Sequence, residues 1–194
     1  NAVLEDNDIS LATVIIDALG QAIGYGVDKA IVYGKGTKMP MGFVTRLAQT
    51  EKPEDETETN RAWENLSEKN IITIPESLTG AKLFAHIVRS SAAAKAKNGH
   101  EKFWVMSEET YAELMAEMIS FNASGAIVSG MNMQMPVVGG QIELLDFMPL
   151  NNIGLGYGSK YALAERAGTT IAQSEHARFI EDQTVFKGTA RMDG

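Results

Sequence analysis

Two glycine-rich segments are the places where this sequence could hold a ligand. Residues 33–43 read Tyr33-Gly34-Lys35-Gly36-Thr37-Lys38-Met39-Pro40-Met41-Gly42-Phe43. Backbone amides in a glycine turn can cradle phosphate, but such a loop needs G-x-x-x-x-G-K-[ST] between a strand and a following helix. Here the glycines come after a helical pattern, and Gly36-Thr37-Lys38 reverses the Lys-Thr order. The segment therefore reads as a helix stop and a turn into a strand. Gly154-Leu155-Gly156-Tyr157-Gly158 is a fragment of a dinucleotide fingerprint. It lacks the preceding strand and following helix that would set a pyrophosphate on a helix N-terminus. A flexible loop or hairpin connection is expected there.

The other reactive side chains form no constellation. The three histidines, His86, His100 and His176, make no i, i+3 or i, i+4 pair and have no carboxylate at a metal-ligand spacing. His86 is expected near the packed face of a helix, the other two in loops or at strand edges. Cysteine is absent, which excludes disulfides and thiolate metal sites and fits a reducing compartment. Ser124-Gly125 and Ser129-Gly130 do not build the G-x-S-x-G nucleophile elbow. The carboxylates are scattered, and the acidic run at residues 51–58 reads as a solvated face or one that meets a basic neighbour. Met131, Met133 and Met135 alternate, as on one face of a strand or an adaptable contact surface, though ordinary burial fits equally. No catalytic, cofactor-binding or metal-ligating residue is assigned, no cofactor is expected, and the chain reads as structural rather than as an enzyme.

Composition narrows the class. The 194 residues suffice for a packed core, and 44% hydrophobic with 22% charged residues is ordinary for a globular protein. A net charge of −8 argues against sequence-independent nucleic-acid binding, which works by neutralising phosphates with Lys and Arg. There is no run of about 18 apolar residues, so no membrane-spanning helix is expected, and no signal peptide is visible. The chain opens on Asn1 rather than methionine, so it is expected to begin inside a larger protein or behind a tag scar.

Periodicity places the elements that would position these residues. Leu11, Val14, Ile15, Leu19, Ile23, Val27 and Ile31 recur every three or four positions, predicting one helix over residues 9–33. Asp6, Asn7 and Asp8 can cap it and Gly34 can stop it. At 1.5 Å per residue it spans roughly 38 Å. Gly20, Gly24 and Gly26 inside it imply a kink or close packing against another backbone. Residues 50–70 read as a polar excursion with a helical turn around Trp63 and Leu66. Residues 71–75 read as a short strand or extended lead-in, and 79–97 as a second helix burying Leu83, Phe84, Ile87 and Val88. Residues 102–106 read as a buried strand, after which Ser107 caps a third helix with Tyr111, Leu114, Met115 and Met118 inward. The rest of the chain reads as strands: residues 142–147 after a Gly139-Gly140 turn, 160–166 and 169–174 around an Ala167-Gly168 turn, and 183–192. Helices and strands do not alternate in a βαβ rhythm, so the class is α+β.

Taken in order, these segments resemble the major capsid proteins of tailed phages. The long helix running into G-x-G-x-x-x-P-x-G (Gly34 to Gly42) is similar to that family's spine helix and its closing turn. Phe103-Trp104-Val105-Met106-Ser107 before the Tyr111 helix, Met135-Pro136-Val137-Val138, and residues 161–168, 179–184 and 191–194 resemble further family elements in the same order. The resemblance covers most of the chain apart from residues 50–70.

The resemblance implies a tailed-phage capsid fold with a long spine helix, late antiparallel strands and a separate axial α/β lobe, together L-shaped. Residues 1–50 and 159–194 would form the peripheral domain, 51–70 a polar excursion, and 71–158 the axial domain. The implied function is that of a head subunit of a phage or prophage that self-assembles into an icosahedral shell; an encapsulin-type compartment shell is the alternative. Its partners would be copies of itself in pentamers and hexamers, with scaffolding and portal proteins, enclosing DNA without specific binding and without a membrane. Its place would be the virion, after assembly in the bacterial cytoplasm. Family members carry an N-terminal arm and an extended loop ahead of the spine helix and one more strand after the last seen here, so this chain alone is expected to stay a monomer or small oligomer. Some members cross-link a loop lysine to an asparagine with help from a glutamate. Here Asp182 holds the asparagine position and Thr189 the glutamate position. Aspartate lacks the amide leaving group and threonine cannot serve as the base, so no autocatalytic cross-linking is expected.

Overall fold

The computed structural model describes residues 11–53, 62–95, 101–121, 133–136, 138–181 and 183–194. The fold is α+β and divides into two compact units, Asn1–Arg46 with Ala162–Gly194, and Leu47–Tyr161.

The first unit is built on helix α1 (Leu11–Tyr33), whose 23 residues extend about 35 Å. The first two positions of the predicted helix lie outside the described residues. Ala12, Ile15, Leu19, Ile23, Val27 and Ala30 form a half-buried stripe at helical spacing. This stripe faces a two-stranded antiparallel ribbon, β4 (Ala164–Arg178) and β5 (Gln183–Asp193). A carbon built on Gly188 of β5 would lie 3.0 Å from Ile23 Cδ1, so the strand backbone approaches the helix where the side chain is smallest. The outer side of α1 exposes Val14 (51%) and Tyr25 (44%) among the polar residues Asp17, Gln21, Asp28 and Lys29. Of the kink or close packing expected at Gly20, Gly24 and Gly26, close packing is not found among the described residues: nothing there lies within 4 Å of a carbon built on any of them.

Strand β4 corrects the sequence reading. No turn forms at Ala167-Gly168; one strand runs through them, and Lys160 sits in a 3₁₀ turn (Gly158–Lys160) instead of a strand. The continuous partner β5 holds β4 in place, and the misfit appears as register shifts at Glu165/Ala167, Ala167/Thr170 and Ser174/Arg178. At the far end a 3₁₀ turn (Phe179–Glu181) is closed by Arg178 Nη1 on Glu181 Oε2 at 2.8 Å.

After the glycine joint comes a short helix, α2 (Phe43–Ala48), where a strand was expected. Its first turn is continuous with the joint, the Arg46 amide donating to the Gly42 carbonyl at 2.9 Å. The second unit contains α3 (Ser67–Asn70), α4 (Gly80–Ser90), β1 (Phe103–Met106), α5 (Glu108–Phe121), β2 (Gln141–Leu144) and β3 (Gly154–Gly156). The sheet order is β2-β1-β3, with β1–β2 parallel and β1–β3 antiparallel. Ile87, Trp104, Met106, Leu114, Met135 and Ile142 form the core, and Leu83, Phe84, Tyr111, Met115 and Met118 pack around it as the spacing predicted. Burying each large apolar side chain contributes about 1.5–3 kcal/mol. Ser107 caps α5: its Oγ accepts the Thr110 amide at 3.2 Å. The Thr110 hydroxyl in turn accepts the Asn151 amide at 2.9 Å, tying the loop after β2 to the cap.

Several expectations change here. Of the two forms expected for residues 71–75, the extended lead-in is the one found: Ile71 and Ile72 lie 53% and 43% exposed, and among the described residues no strand pairs with them. The short helical turn falls at Ser67–Asn70, just after Trp63 and Leu66. The second helix ends at Ser90, where a 3₁₀ turn (Ser91–Ala93) begins and the Ser91 hydroxyl bonds to the Val88 carbonyl at 2.8 Å. Residues 154–158 are not a loop throughout: Gly154–Gly156 is a sheet strand, and the Phe103 ring lies 3.2 Å from a carbon built on Gly156. Met133 and Met135 do not share a strand face. Met133 has φ 55° and is exposed, Met135 is buried in the core, and Met131 lies outside the described residues.

Candidate functional site

The joint after α1 is a closed backbone structure. Gly34 N donates to Ala30 O at 2.8 Å, Gly42 N to Gly34 O at 2.9 Å, and Met41 N to Gly194 O at 3.2 Å. Lys35 and Met41 form an antiparallel bridge, which brings the two sides of the loop together. Between them Gly36 and Lys38 take φ of 77° and 59°. A side-chain carbon on Gly34 would collide with the Pro40 and Ala30 carbonyls, and one on Gly42 would lie 2.5 Å from Gly34 N and Val32 O. These glycines permit backbone-on-backbone contact. The amides of Gly34, Met41 and Gly42 are already given to carbonyls, so they are not directed at a phosphate. Burial holds the Tyr33 phenol above its ordinary pKa.

Beside the joint, Ile23, Val27, Ala30, Lys38, Met39 and Met192 are among the residues that line an open groove of 260 Å³. It carries no acid–base pair. The second glycine segment is equally unsuited to a dinucleotide, because β3 leads into a 3₁₀ turn rather than a helix N-terminus.

The remaining sequence candidates are dispersed. His86 lies on α4 with its Nε2 buried and without a partner among the described residues, His176 is exposed on β4, and His100 lies outside the described residues. Ser124, Ser129 and Asp182 also lie outside them. Thr189 is on β5, its hydroxyl 2.7 Å from that of Thr170 across the ribbon. Among the described residues, no group of His, Asp and Glu could hold a metal ion, and no helix is long and apolar enough to cross a membrane.

Charge is segregated between two helices of the second unit. Lys82 and Arg89 are the charged residues of α4, and Glu108, Glu109, Glu113 and Glu117 those of α5. Each helix carries one sign of charge, a segregation readable in the sequence once the helices are placed.

The first unit thus sets a long helix on an antiparallel ribbon with a closed glycine joint, and the second is a mixed α/β unit. Two solved structures have this fold over the whole chain at 17% identity: the capsid of a native GTA particle computed with C5 symmetry, with a TM-score of 0.65, and the capsid of an empty GTA particle computed with C5 symmetry, at 0.63. The present chain spans 64% and 65% of those chains. It belongs to the phage capsid family, whose model matches residues 1–194. No curated protein matches the sequence.

Proposed function

We propose that this chain is part of a major capsid protein of a tailed phage or phage-like particle, and that its function is structural: self-assembly into a closed icosahedral shell. The observation that carries this reading is family membership over residues 1–194 together with a capsid fold over the full chain. The C5 symmetry of the two similar capsids supports rings of five copies; rings of six extend the same heterologous contact, in which one patch meets a different patch on the neighbour. On this reading the unit holding α1, β4 and β5 is the peripheral domain and the unit around β1 is the axial domain that points to the ring centre. Scaffolding and portal proteins are its partners, DNA is enclosed without specific binding, and the mature location is the virion after assembly in the host cytoplasm. A non-enzymatic role accords with a joint whose amides serve the backbone itself. No observation favours the encapsulin-type alternative over this one.

The test is to express the full-length protein and examine it by sedimentation and negative-stain electron microscopy. Closed shells are expected. A protein that stays a small soluble species with and without its neighbouring phage gene products would overturn the reading.

A further inference from the structure

Two helix faces of opposite sign stand in one unit without meeting. On α4, Lys82 and Arg89 are exposed and seven residues apart, two turns along one stripe, with Ala81 and Ala85 beside them. On α5, Glu109 and Glu113 are exposed one turn apart, flanked by Glu108, Ala112 and Ala116. Among the described residues none of these charges makes an ion pair or hydrogen bond through its side chain. Glu117 is different: it accepts the Gly80 amide at 2.6 Å and so joins α5 to the start of α4 within one copy.

Helix dipoles account for only part of this pattern. Glu108 and Glu109 suit the first turn of α5, and Arg89 suits the last turn of α4. Lys82 sits in the first turn of α4, where a cation is disfavoured, and Glu113 lies beyond the first turn of α5. Both stripes alternate long charged side chains with alanines, so a facing helix could approach closely while the charges reach across it.

We infer that the Lys82–Arg89 stripe of α4 is a docking surface for a second copy of this chain and receives that copy's Glu109–Glu113 stripe on α5. The pairing is heterologous, as a cyclic ring requires, because each copy carries both faces and uses each once. It deepens the capsid reading and rests on it. Individually such exposed pairs are weak, but a closed ring repeats them at every interface, and opposite charges also set which flank meets which.

The experiment uses the full-length protein. Lys82→Glu with Arg89→Glu is expected to lower particle yield by about tenfold or more, since like charges then face each other across every interface. Glu109→Lys with Glu113→Lys is expected to do the same. All four substitutions in one chain restore attraction and leave the net charge unchanged, so yield is expected to recover. Because the sequence has no cysteine, Arg89→Cys with Glu113→Cys provides a second readout: oxidation of assembled particles is expected to give a ladder of covalent oligomers that neither single variant gives. If wild-type particles form but both double reversals assemble normally and no ladder appears, the docking surface is wrong and the capsid reading stands. If a single cysteine variant gives the oxidised dimers, like faces meet and the inference is overturned. If the wild-type chain makes no particles at all, the capsid reading itself has failed.

Discussion

Replacing Gly42 by alanine tests the joint most sharply. The added carbon would lie 2.5 Å from Gly34 N, 2.5 Å from Val32 O and 2.6 Å from Tyr33 N, against an ordinary contact of 3.4–4 Å. All three neighbours are backbone, so no rotamer change relieves the overlap. The loop must open by nearly 1 Å, stretching the 2.9 Å bond from Gly42 N to Gly34 O and the Lys35–Met41 bridge beside it. Overpacking costs about 1–3 kcal/mol and a lost hydrogen bond about 1 kcal/mol, so a destabilisation of about 2–4 kcal/mol is expected. For a chain of this size that lowers Tm by roughly 5–15 °C. Gly24→Ala is the internal control. It lies in the same unit with nothing within 4 Å of the new carbon, and alanine should stabilise the helix by about 1 kcal/mol. Gly36→Ala should fall between them, because its φ of 77° strains alanine but its close neighbour is the movable Met41 methyl. Thermal unfolding monitored by circular dichroism gives the order. A Gly42→Ala chain melting with the wild type, or above it as Gly24→Ala should, would refute the backbone-contact account of the joint.

Three further outcomes are expected from the same structure. Thr110→Val removes the acceptor of the Asn151 amide and the hydroxyl partner of Ser107, and should cost about 1–3 kcal/mol by urea denaturation; a change within error would show that the cap is not coupled to the loop. Because the Tyr33 phenol is held above its usual pKa of 10.0, the folded state keeps that proton longer than the unfolded state does. Its contribution is complete below about pH 10 and is lost as pH rises through the folded value, so Tyr33→Phe should lose less stability than wild type as pH rises above about 10. Particles of the full-length protein boiled in detergent should run as single subunits, with no isopeptide by mass spectrometry; a cross-linked peptide containing Asp182 would contradict the assignment of Asp182 and Thr189.

The sequence reports local geometry well where one face of an element is buried. The α1 stripe, the Ser107 cap and the inward face of α5 were legible because helical spacing and capping chemistry are encoded within a few residues. The misses depend mostly on partners distant in sequence. Gly154–Gly156 becomes a strand because β1 supplies hydrogen bonds and the Phe103 ring covers the side-chain-free backbone. Ala167-Gly168 fails to turn because β5 runs past it unbroken. The parallel β1–β2 pair, joined through α5, is a local crossover that a chain-wide test for alternation cannot reveal. The candidate site divided in the same way. Order and context removed the phosphate-loop reading from the sequence alone, but the contacts that make Gly34 and Gly42 necessary join positions eight residues apart through space. The opposite charges of α4 and α5 were visible as letters and acquired meaning only when both were seen exposed and unbridged.

The central claim is that this chain builds a shell, and cryo-electron microscopy of particles formed by the full-length protein tests it most directly. The account predicts closed particles with fivefold vertices, with the α1–β4–β5 unit and the β1-centred unit traceable in every subunit. Full-length protein that forms no closed particles, or only amorphous aggregates without fivefold vertices, would contradict it.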